Sequence, residues 1–191
     1  GTSDGLPSDH VLGLFEQSNG RLIALTGTGP AVRKGEQWSR IEDEGYPVKD
    51  YTWAMVESPD GSVFAQAYNM PLILKDGRWS PCPGVGIPNN SPLCVTRDGS
   101  VIRGVKGTNG AVSFARWNGD SFVQASGQIF DQALIVTILR QAPDGAIWAV
   151  GRGTILRWEY LPGAWEWRPD LPKPLLEDHA HRLWFGDQNG V

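Results

Sequence analysis

The sequence predicts an all-β fold built from one unit that recurs about every 40 residues. Turn glycines lie at Gly20, Gly61, Gly99 and Gly145, and His181 stands in the matching place of the last unit. The intervals are therefore 41, 38, 46 and 36 residues. Each interval carries two hairpin signals and lacks a sustained 3.6-residue apolar period, which excludes helical repeats of similar length. Four short strands in such an interval are typical of a β-propeller blade.

Composition agrees with this fold and excludes several classes of function. The chain of 191 residues contains 24 Gly and 14 Pro, which suits many short strands joined by turns, and nine Trp, which bury large surfaces. A net charge of -4 without a basic stripe argues against a nucleic-acid partner. Because no apolar run is long enough for a membrane span, we expect no direct membrane insertion. The chain starts without Met and shows no signal peptide, so we interpret it as a processed or excised segment.

The first unit illustrates the elements. Residues 10–17 form an apolar strand, and Ser18-Asn19-Gly20 predicts a type I′ hairpin turn, since Asn-Gly readily adopts positive φ angles. Residues 21–26 form the second strand. After a loop, residues 31–34 pair through Gly35-Glu36 with residues 37–41.

The remaining units repeat this plan with their own turns. The five units span approximately residues 10–41, 51–81, 92–125, 134–168 and 174–191, within one propeller segment, 1–191. The fifth unit supplies only two strands, so about four and a half blades are present. An open sheet edge invites unwanted pairing. The sequence therefore predicts a part of a larger propeller, or closure by another chain, which allows a homodimer.

The repeat resembles the two-component regulator propeller repeat. The last unit reads Arg182-Leu183-Trp184-Phe185-Gly186, and the start reads Asp4-Gly5-Leu6-Pro7-Ser8, as linkers between blades of that family do. A third copy is Asp144-Gly145-Ala146-Ile147-Trp148. Units two and three carry Phe64 and Ile102 in place of the Trp. Kelch and WD40 blades fit less well, because the Gly-Gly and Trp-Asp pairs are absent.

This resemblance implies function as well as fold. Such propellers form the sensing part of membrane-bound histidine kinases, so the resemblance implies a periplasmic or extracellular location and signalling domains in the same parent chain. It also implies a ligand-binding role. Because the sequence contains no GxxxxGK, HExxH or GxSxG motif, we do not expect an enzyme. The expected partner is a small molecule or a saccharide, and no cofactor is expected.

Candidate ligand-binding residues lie in the loops that leave the second strands and in the linkers between units. Loops on a rigid scaffold usually carry function. Arginine suits an anionic group, whereas Tyr and Asn suit hydroxyls. The candidates are Tyr46, Trp53, Tyr68, Asn69, Asn109, Arg152 and Asp187. Trp148 and Trp184, in contrast, occupy the core position of the repeat.

Two alternatives belong to other classes. Rim tryptophans that stack on sugars would make the chain a secreted lectin-like propeller. His179 and His181 beside Asp178 would make it a metal-dependent lyase, because alternate residues of a strand face one way. These histidines fill a hairpin turn of the repeat, however, so no metal site is expected. Cys82 and Cys94 cannot form a CxxC site, and their pairing stays open.

Overall fold

Antiparallel four-stranded sheets dominate the computed structural model, preceded by a short 3-10 turn, Thr2–Asp4. The structure describes residues 1–41, 45–68, 70–84, 92–106, 112–125, 136–142, 145–151, 154–159, 164–167, 173–177 and 183–186. Each sheet joins four consecutive strands in chain order, as in a propeller blade. The first strands of successive sheets approach one another, so they line the common centre.

We number the blades I to V in chain order. Blade I contains β1 (Val11–Glu16), β2 (Leu22–Thr26), β3 (Ala31–Lys34) and β4 (Gln37–Arg40). Blade II contains β5 (Thr52–Glu57), β6 (Val63–Ala67), β7 (Met70–Lys75) and β8 (Arg78–Pro81). Blade III contains β9 (Leu93–Val95), β10 (Val101–Lys106), β11 (Val112–Trp117) and β12 (Phe122–Gln124). Blade IV contains β13 (Val136–Gln141), β14 (Ile147–Gly151), β15 (Thr154–Glu159) and β16 (Ala164–Trp167). The described strands of blade V are β17 (Lys173–Glu177) and β18 (Leu183–Gly186).

The second strands carry the core, as the repeat predicted. Phe64, Ile102 and Trp148 lie at the same register in β6, β10 and β14, and all three are buried. The prediction that this position packs inside the protein is confirmed for Trp148. The side chain of Trp184 lies outside the described residues. Four blades and a further pair of strands agree with the number predicted from the turn spacing.

The first hairpin of blade I has a different turn from the predicted one. The amide of Gly20 donates to the carbonyl of Gln17 at 2.8 Å, and the amide of Gln17 donates to Arg21 at 2.9 Å. Gly20 has φ of 83°, but Asn19 does not have a positive φ. This is a three-residue turn that ends in a left-handed glycine, so the type I′ prediction at Asn19-Gly20 was wrong. The same bonds recur around Gly61, Gly99 and Gly145.

A two-residue turn of the primed class occurs instead between β7 and β8. Asp76 and Gly77 both have positive φ, 51° and 75°, and Lys75 pairs directly with Arg78. Asp tolerates the left-handed region better than most residues because its short side chain bonds locally.

Apolar clusters fill three junctions, which join blade I to blade II, blade II to blade III, and blade III to blade IV. In β6, Ala65 packs toward blade I, whereas Phe64 packs toward blade III, so alternate residues of one strand serve two junctions. The two cysteines lie at different junctions. Cys82, which follows β8, belongs to the junction of blades II and III, whereas Cys94 in β9 belongs to the junction of blades III and IV. Neither forms a disulfide bond.

Hydrogen bonds tie adjacent hairpins together. The Glu57 carboxylate accepts from the Ser18 amide at 2.6 Å and from the Ser18 hydroxyl at 2.9 Å, which links blade II to blade I. The Gln141 side chain accepts from the Arg97 amide at 2.6 Å, which links blade IV to blade III in the same way. Between blades II and III the equivalent residues are Pro59 and Val95.

Pro59 has no amide hydrogen and Val95 has no side-chain acceptor, so the bond cannot form at this junction. The ring of Pro59 instead packs on the turn of blade III. A Cβ atom added to Gly99 would lie 2.9 Å from the Pro59 Cγ. A side chain at position 99 is therefore excluded both by this contact and by a φ of 81°.

Candidate functional site

The ends of the blades form two different surfaces. We call the end where first strands begin and second strands end the linker face, because the segments between blades also lie there. The opposite end carries the hairpins described above. Loops at the linker face vary in sequence, whereas the hairpins share one backbone pattern. The linker face is therefore the surface on which a specific site can be built.

Blades I and II present matching positions on this face. The Gly27 amide donates to the His10 carbonyl at 3.0 Å, and the Tyr68 amide donates to the Tyr51 carbonyl at 2.8 Å. His10 therefore corresponds to Tyr51, and Gly27 corresponds to Tyr68. Blade I contributes the smallest residue at the position where blade II contributes a large aromatic one.

A β-bulge shapes the start of the first strands. In β5, Thr52 pairs with Ala67 and Ala54 pairs with Gln66, so Trp53 is the extra residue. Equivalent bulges occur in β1 and β13. A bulge turns the extra side chain away from the regular alternation of the strand. The bulge therefore sets Trp53 outside the regular alternation of β5.

An aromatic cluster occupies the linker face where blades I and II meet. The rings of Tyr51 and Trp53 stack with centroids 5.1 Å apart and planes at 12°. The His10 ring contacts Tyr51 edge-on at 6.2 Å. A Cβ atom added to Gly27 would lie 3.2 Å from His10 Nδ1 and 3.4 Å from Tyr51 Cε1. Glycine at position 27 thus leaves room for both rings.

The cluster combines exposed rings with an unused donor. His10 is exposed, and Tyr51 and Trp53 are half-buried. The Trp53 indole nitrogen is buried, yet it has no hydrogen-bond partner within the described part of the chain. A buried donor without an acceptor costs about 1–3 kcal/mol. The cluster can therefore offer flat apolar surface and one N–H to an incoming oxygen atom.

Hydrogen bonds hold the loops around the cluster in place. The Thr28 hydroxyl donates to the Pro7 carbonyl at 3.0 Å, and Arg40 donates to the Thr28 carbonyl at 3.3 Å. The Tyr51 amide donates to the Asp50 carboxylate at 2.7 Å. Asp50 is exposed, and it is the charged residue directly beside the aromatic cluster in sequence. Its exposed neighbour Lys49 carries the opposite charge, so charges of both signs lie near the cluster.

The predicted site residues fall into three groups. Trp53 lies in the cluster, and Tyr68 is 49% exposed on the same face. Tyr46 is buried in the junction of blades I and II, where its hydroxyl bonds the Thr52 hydroxyl at 2.8 Å and its ring meets Trp79 edge-on. Burial raises the pKa of Tyr46 well above its ordinary value. The other candidates, Asn69, Asn109, Arg152 and Asp187, lie outside the described residues.

Sequence reasoning assigned the loop at Gly27 and the linker at Tyr51 to this face, but it did not name Gly27, Tyr51 or His10 as candidate site residues. A signal was available, because His10 and Tyr51 both stand one residue before the first strand of their blades. Aligning the two linkers would have placed the two rings on one face.

A buried pair of titratable groups lies elsewhere, between blades II and III. Burial raises the pKa of the Cys82 thiol to about 12, and burial also lowers the pKa of Arg103. The Arg103 guanidinium lies 4.9 Å from the centre of the Phe122 ring, in a cation–π arrangement. A thiol with so high a pKa is protonated at neutral pH, and it packs with Phe122 in the apolar cluster of this junction.

Metal and membrane signals are weak in the residues that the structure describes. Across those ranges, no three His, Cys, Asp or Glu side chains come together as metal ligands would. Nor do the described residues contain a helix of the length and apolarity that a membrane crossing requires. His179 and His181 lie outside the described ranges.

Comparison with solved structures identifies the fold as a β-propeller. No known protein family and no curated protein matches the sequence. Virginiamycin B lyase from Staphylococcus aureus matches with a TM-score of 0.65 at 15% identity, covering 88% of this chain and 59% of the lyase. The extracellular domain of the hybrid two-component system BT4673 from B. thetaiotaomicron matches with a TM-score of 0.68 at 13% identity, covering 95% of this chain and 26% of that chain.

An enzyme of another activity is also similar. The gluconolactonase XC5397 from Xanthomonas campestris matches with a TM-score of 0.60 at 12% identity, covering 82% of this chain and 60% of its own. The chain thus spans about three fifths of these enzymes and about a quarter of the extracellular domain. At such low identities the likeness concerns the fold alone.

Proposed function

We propose that the chain is a ligand-binding sensor propeller that takes a small, hydroxyl-rich ligand, such as a saccharide, at the aromatic cluster of the linker face. The observation that carries the proposal is the stacked Tyr51–Trp53 pair, whose Tyr51 ring lies beside His10 where blades I and II meet. Aromatic rings present flat apolar surface to the C–H faces of sugars. Their polar atoms can also bond hydroxyl groups.

Charges of both signs stand beside the cluster, since Asp50 follows Lys49, so charge alone favours neither an anionic nor a cationic ligand. The Trp53 indole N–H would gain an acceptor from a ligand oxygen. Exposed Tyr68 lies on the same face and can contribute a second ring or a hydroxyl.

The sensor role rests on resemblance. The repeat resembles that of two-component regulator propellers, and similar folds include an extracellular two-component domain. We accordingly place the chain outside the cytoplasm, as the input part of a signalling protein. Sequencing the parent gene beyond Val191 tests this, because the sensor reading requires signalling domains in that polypeptide.

Binding can be tested on the chain directly. The protein is titrated with glucose, galactose, mannose, N-acetylglucosamine and their short β-linked oligomers. Thermal unfolding and tryptophan fluorescence report binding, because a ligand that binds only the folded state raises the unfolding temperature. We expect one of these sugars to raise it, and Trp53→Leu to abolish that shift.

Matched variants separate binding from stability. Tyr68→Ala removes an exposed ring on the linker face, whereas Val123→Ala changes an exposed residue of β12 in the outer strand of blade III. The first is expected to weaken sugar binding and the second to leave it unchanged. If all sugars fail, or if both variants weaken binding equally, the proposed site is wrong.

The likeness to a lyase favours one second candidate. A metal-dependent lyase would use His179 and His181, which share a strand-like spacing. Metal analysis of the purified protein tests this candidate. Bound metal that is lost in His179→Ala and His181→Ala would replace the sensor proposal for the chain.

A further inference from the structure

Two buried polar atoms of blade II have no hydrogen-bond partner among the residues that the structure describes. They are the Trp53 Nε1, which is a donor, and the Gln66 Oε1, which is an acceptor. Gln66 is fully buried, and its Nε2 donates to the Ala67 carbonyl at 2.9 Å. Because a carbonyl only accepts, this bond fixes the orientation of the amide and leaves its oxygen atom unused. Buried polar groups are nearly always bonded, so an unused donor and an unused acceptor indicate a place for a third group.

The register of blade II brings the two residues together. Gln66 in β6 pairs with Ala54 in β5, and Trp53 is the bulge residue directly before Ala54. In a β-bulge, two residues of one strand lie opposite a single residue of the other. Trp53 and Gln66 are therefore neighbours across the first two strands of the blade.

Blade I shows which side of the blade such a pair faces. Its bulge residue is Leu12, and Leu25 lies across from the bulge. Both leucines pack in the apolar cluster between blades I and II, that is, toward the following blade. They are equivalent to Trp53 and Gln66. Ala54, the partner of Gln66, packs against the cluster between blades II and III. The same bulge therefore turns Trp53 and Gln66 toward blade III.

Polar character at these positions is particular to blade II. Blade I carries two leucines there, and the residue of blade IV equivalent to Gln66 is Val150, which is fully buried. The fold itself therefore does not require a polar pair. Trp53 is half-buried although its Nε1 is buried, so this nitrogen atom lies on the inner edge of a ring whose other parts reach the surface. The indole ring thus extends from the exposed cluster into the blade junction.

We propose that Trp53 and Gln66 form a binding site for a single O–H group, in which the Trp53 Nε1 donates to the oxygen atom and the Gln66 Oε1 accepts the hydrogen. A hydroxyl group is both donor and acceptor, so it satisfies both atoms at once, whereas a carbonyl or ether oxygen satisfies only Trp53. The proposal rests on sugar binding at the aromatic cluster and names the group that is selected, one free hydroxyl of the sugar. In the free protein, a water molecule offers the same donor and acceptor.

Sugar derivatives test the site without changing the protein. The sugar that raises the unfolding temperature most is compared with its monodeoxy and mono-O-methyl derivatives, one position at a time, by isothermal titration calorimetry. A methyl ether keeps the oxygen that accepts from Trp53 but cannot donate to Gln66. We expect one position at which both changes weaken binding roughly tenfold. Tolerance of methylation at every position would overturn the proposal.

Protein variants remove one partner each. Gln66→Leu reproduces Leu25 of blade I, and Trp53→Phe keeps an aromatic ring without an N–H group. Each should weaken binding of the parent sugar roughly tenfold, and Gln66→Leu should no longer prefer that sugar to its methyl ether. Gln17→Leu is the matched control, because the Gln17 Oε1 is also buried without a partner in the described ranges but lies at the hairpin of blade I. Wild-type binding by Gln66→Leu, or equal weakening by Gln17→Leu, would overturn the proposal.

Nuclear magnetic resonance separates this site from sugar binding itself. In the free, isotope-labelled protein, the Trp53 indole proton, identified by its loss in Trp53→Phe, should show a cross-peak to a long-lived water molecule. Bound sugar should remove this cross-peak. Its persistence at saturating sugar would overturn the O–H site while sugar binding stands, and so would its absence from the free wild type. If no sugar binds, the proposed function fails, and the site is then decided by Gln66→Leu, in which the water cross-peak should disappear; an unchanged cross-peak would overturn it.

Discussion

Phe64→Ala should destabilise one blade junction selectively. Phe64 is buried between blades II and III, where its ring meets Trp117 at 5.3 Å and Phe122 at 6.0 Å. Truncating a buried Phe to Ala costs about 3–5 kcal/mol, which includes the cavity left behind. For a chain of this size each kcal/mol lowers the unfolding temperature by roughly 2–4 °C. We therefore expect a decrease of about 6–20 °C.

The two cysteines make the effect visible junction by junction. Cys82 belongs to the same cluster as Phe64, whereas Cys94 faces blade IV. Because stability in repeat proteins is carried by contacts between neighbouring units, the damage should stay local. Maleimide labelling followed by peptide mass spectrometry should show Cys82 reacting faster in Phe64→Ala, while Cys94 keeps its original rate.

Leu139→Ala provides the reciprocal control. Leu139 is buried in the cluster that contains Cys94, so this variant should accelerate labelling of Cys94 and spare Cys82. Urea unfolding, followed by circular dichroism, gives the total loss of stability in both variants. A loss below about 1 kcal/mol for Phe64→Ala, or equal acceleration of both thiols, would refute the assignment of the two junctions.

Three further predictions concern polar contacts. Glu57→Ala removes both oxygens that accept from Ser18, so urea unfolding should show a loss of stability of about 1 kcal/mol. Glu57→Gln keeps one accepting oxygen and should lose less stability. Equal losses in the two variants would contradict the bond. Tyr46→Phe leaves a buried hydroxyl without its partner and should cost about 1–2 kcal/mol at neutral pH, a loss that a solvent-exposed Tyr46 would not show. Hydrogen bonds in its hairpin hold the pKa of Asp60 below the ordinary value of 3.8. The ionised Asp60 therefore stabilises the fold at pH values above its unfolded-state pKa, and this contribution is lost as the pH falls through its lower folded-state pKa. Below about pH 4, the urea midpoint of Asp60→Asn should accordingly depend less on pH than that of the wild type.

The architecture was predictable because it is periodic. Turn glycines spaced about one blade apart, with an apolar or aromatic residue at a fixed distance after each turn, indicate the shared register of Phe64, Ile102 and Trp148. Such a pattern repeats, so errors in one unit are corrected by the others.

Features set by single contacts were not predictable in this way. Asn19-Gly20 suits a type I′ turn by itself, but the chain forms a three-residue turn here, as it does in blades II, III and IV. Tyr46 was expected to face a ligand because it lies in a linker, yet that linker turns inward and buries the ring on Trp79. The bulge at Trp53 leaves no mark in the sequence. These outcomes depend on residues far away in the chain, which local patterns do not contain.

The hairpin bonds between blades also bear on how this chain can evolve. Copies of a repeat that arise by duplication are interchangeable at first. Here the Ser18 amide pairs with the carboxylate of Glu57. Pro59 has no amide hydrogen to donate, and its neighbour Val95 has no side-chain acceptor. Moving blade III next to blade I would place Val95 opposite the Ser18 amide and remove its partner. The blades have thus become individual parts with a fixed order, and their recombination would carry a cost at each mismatched junction.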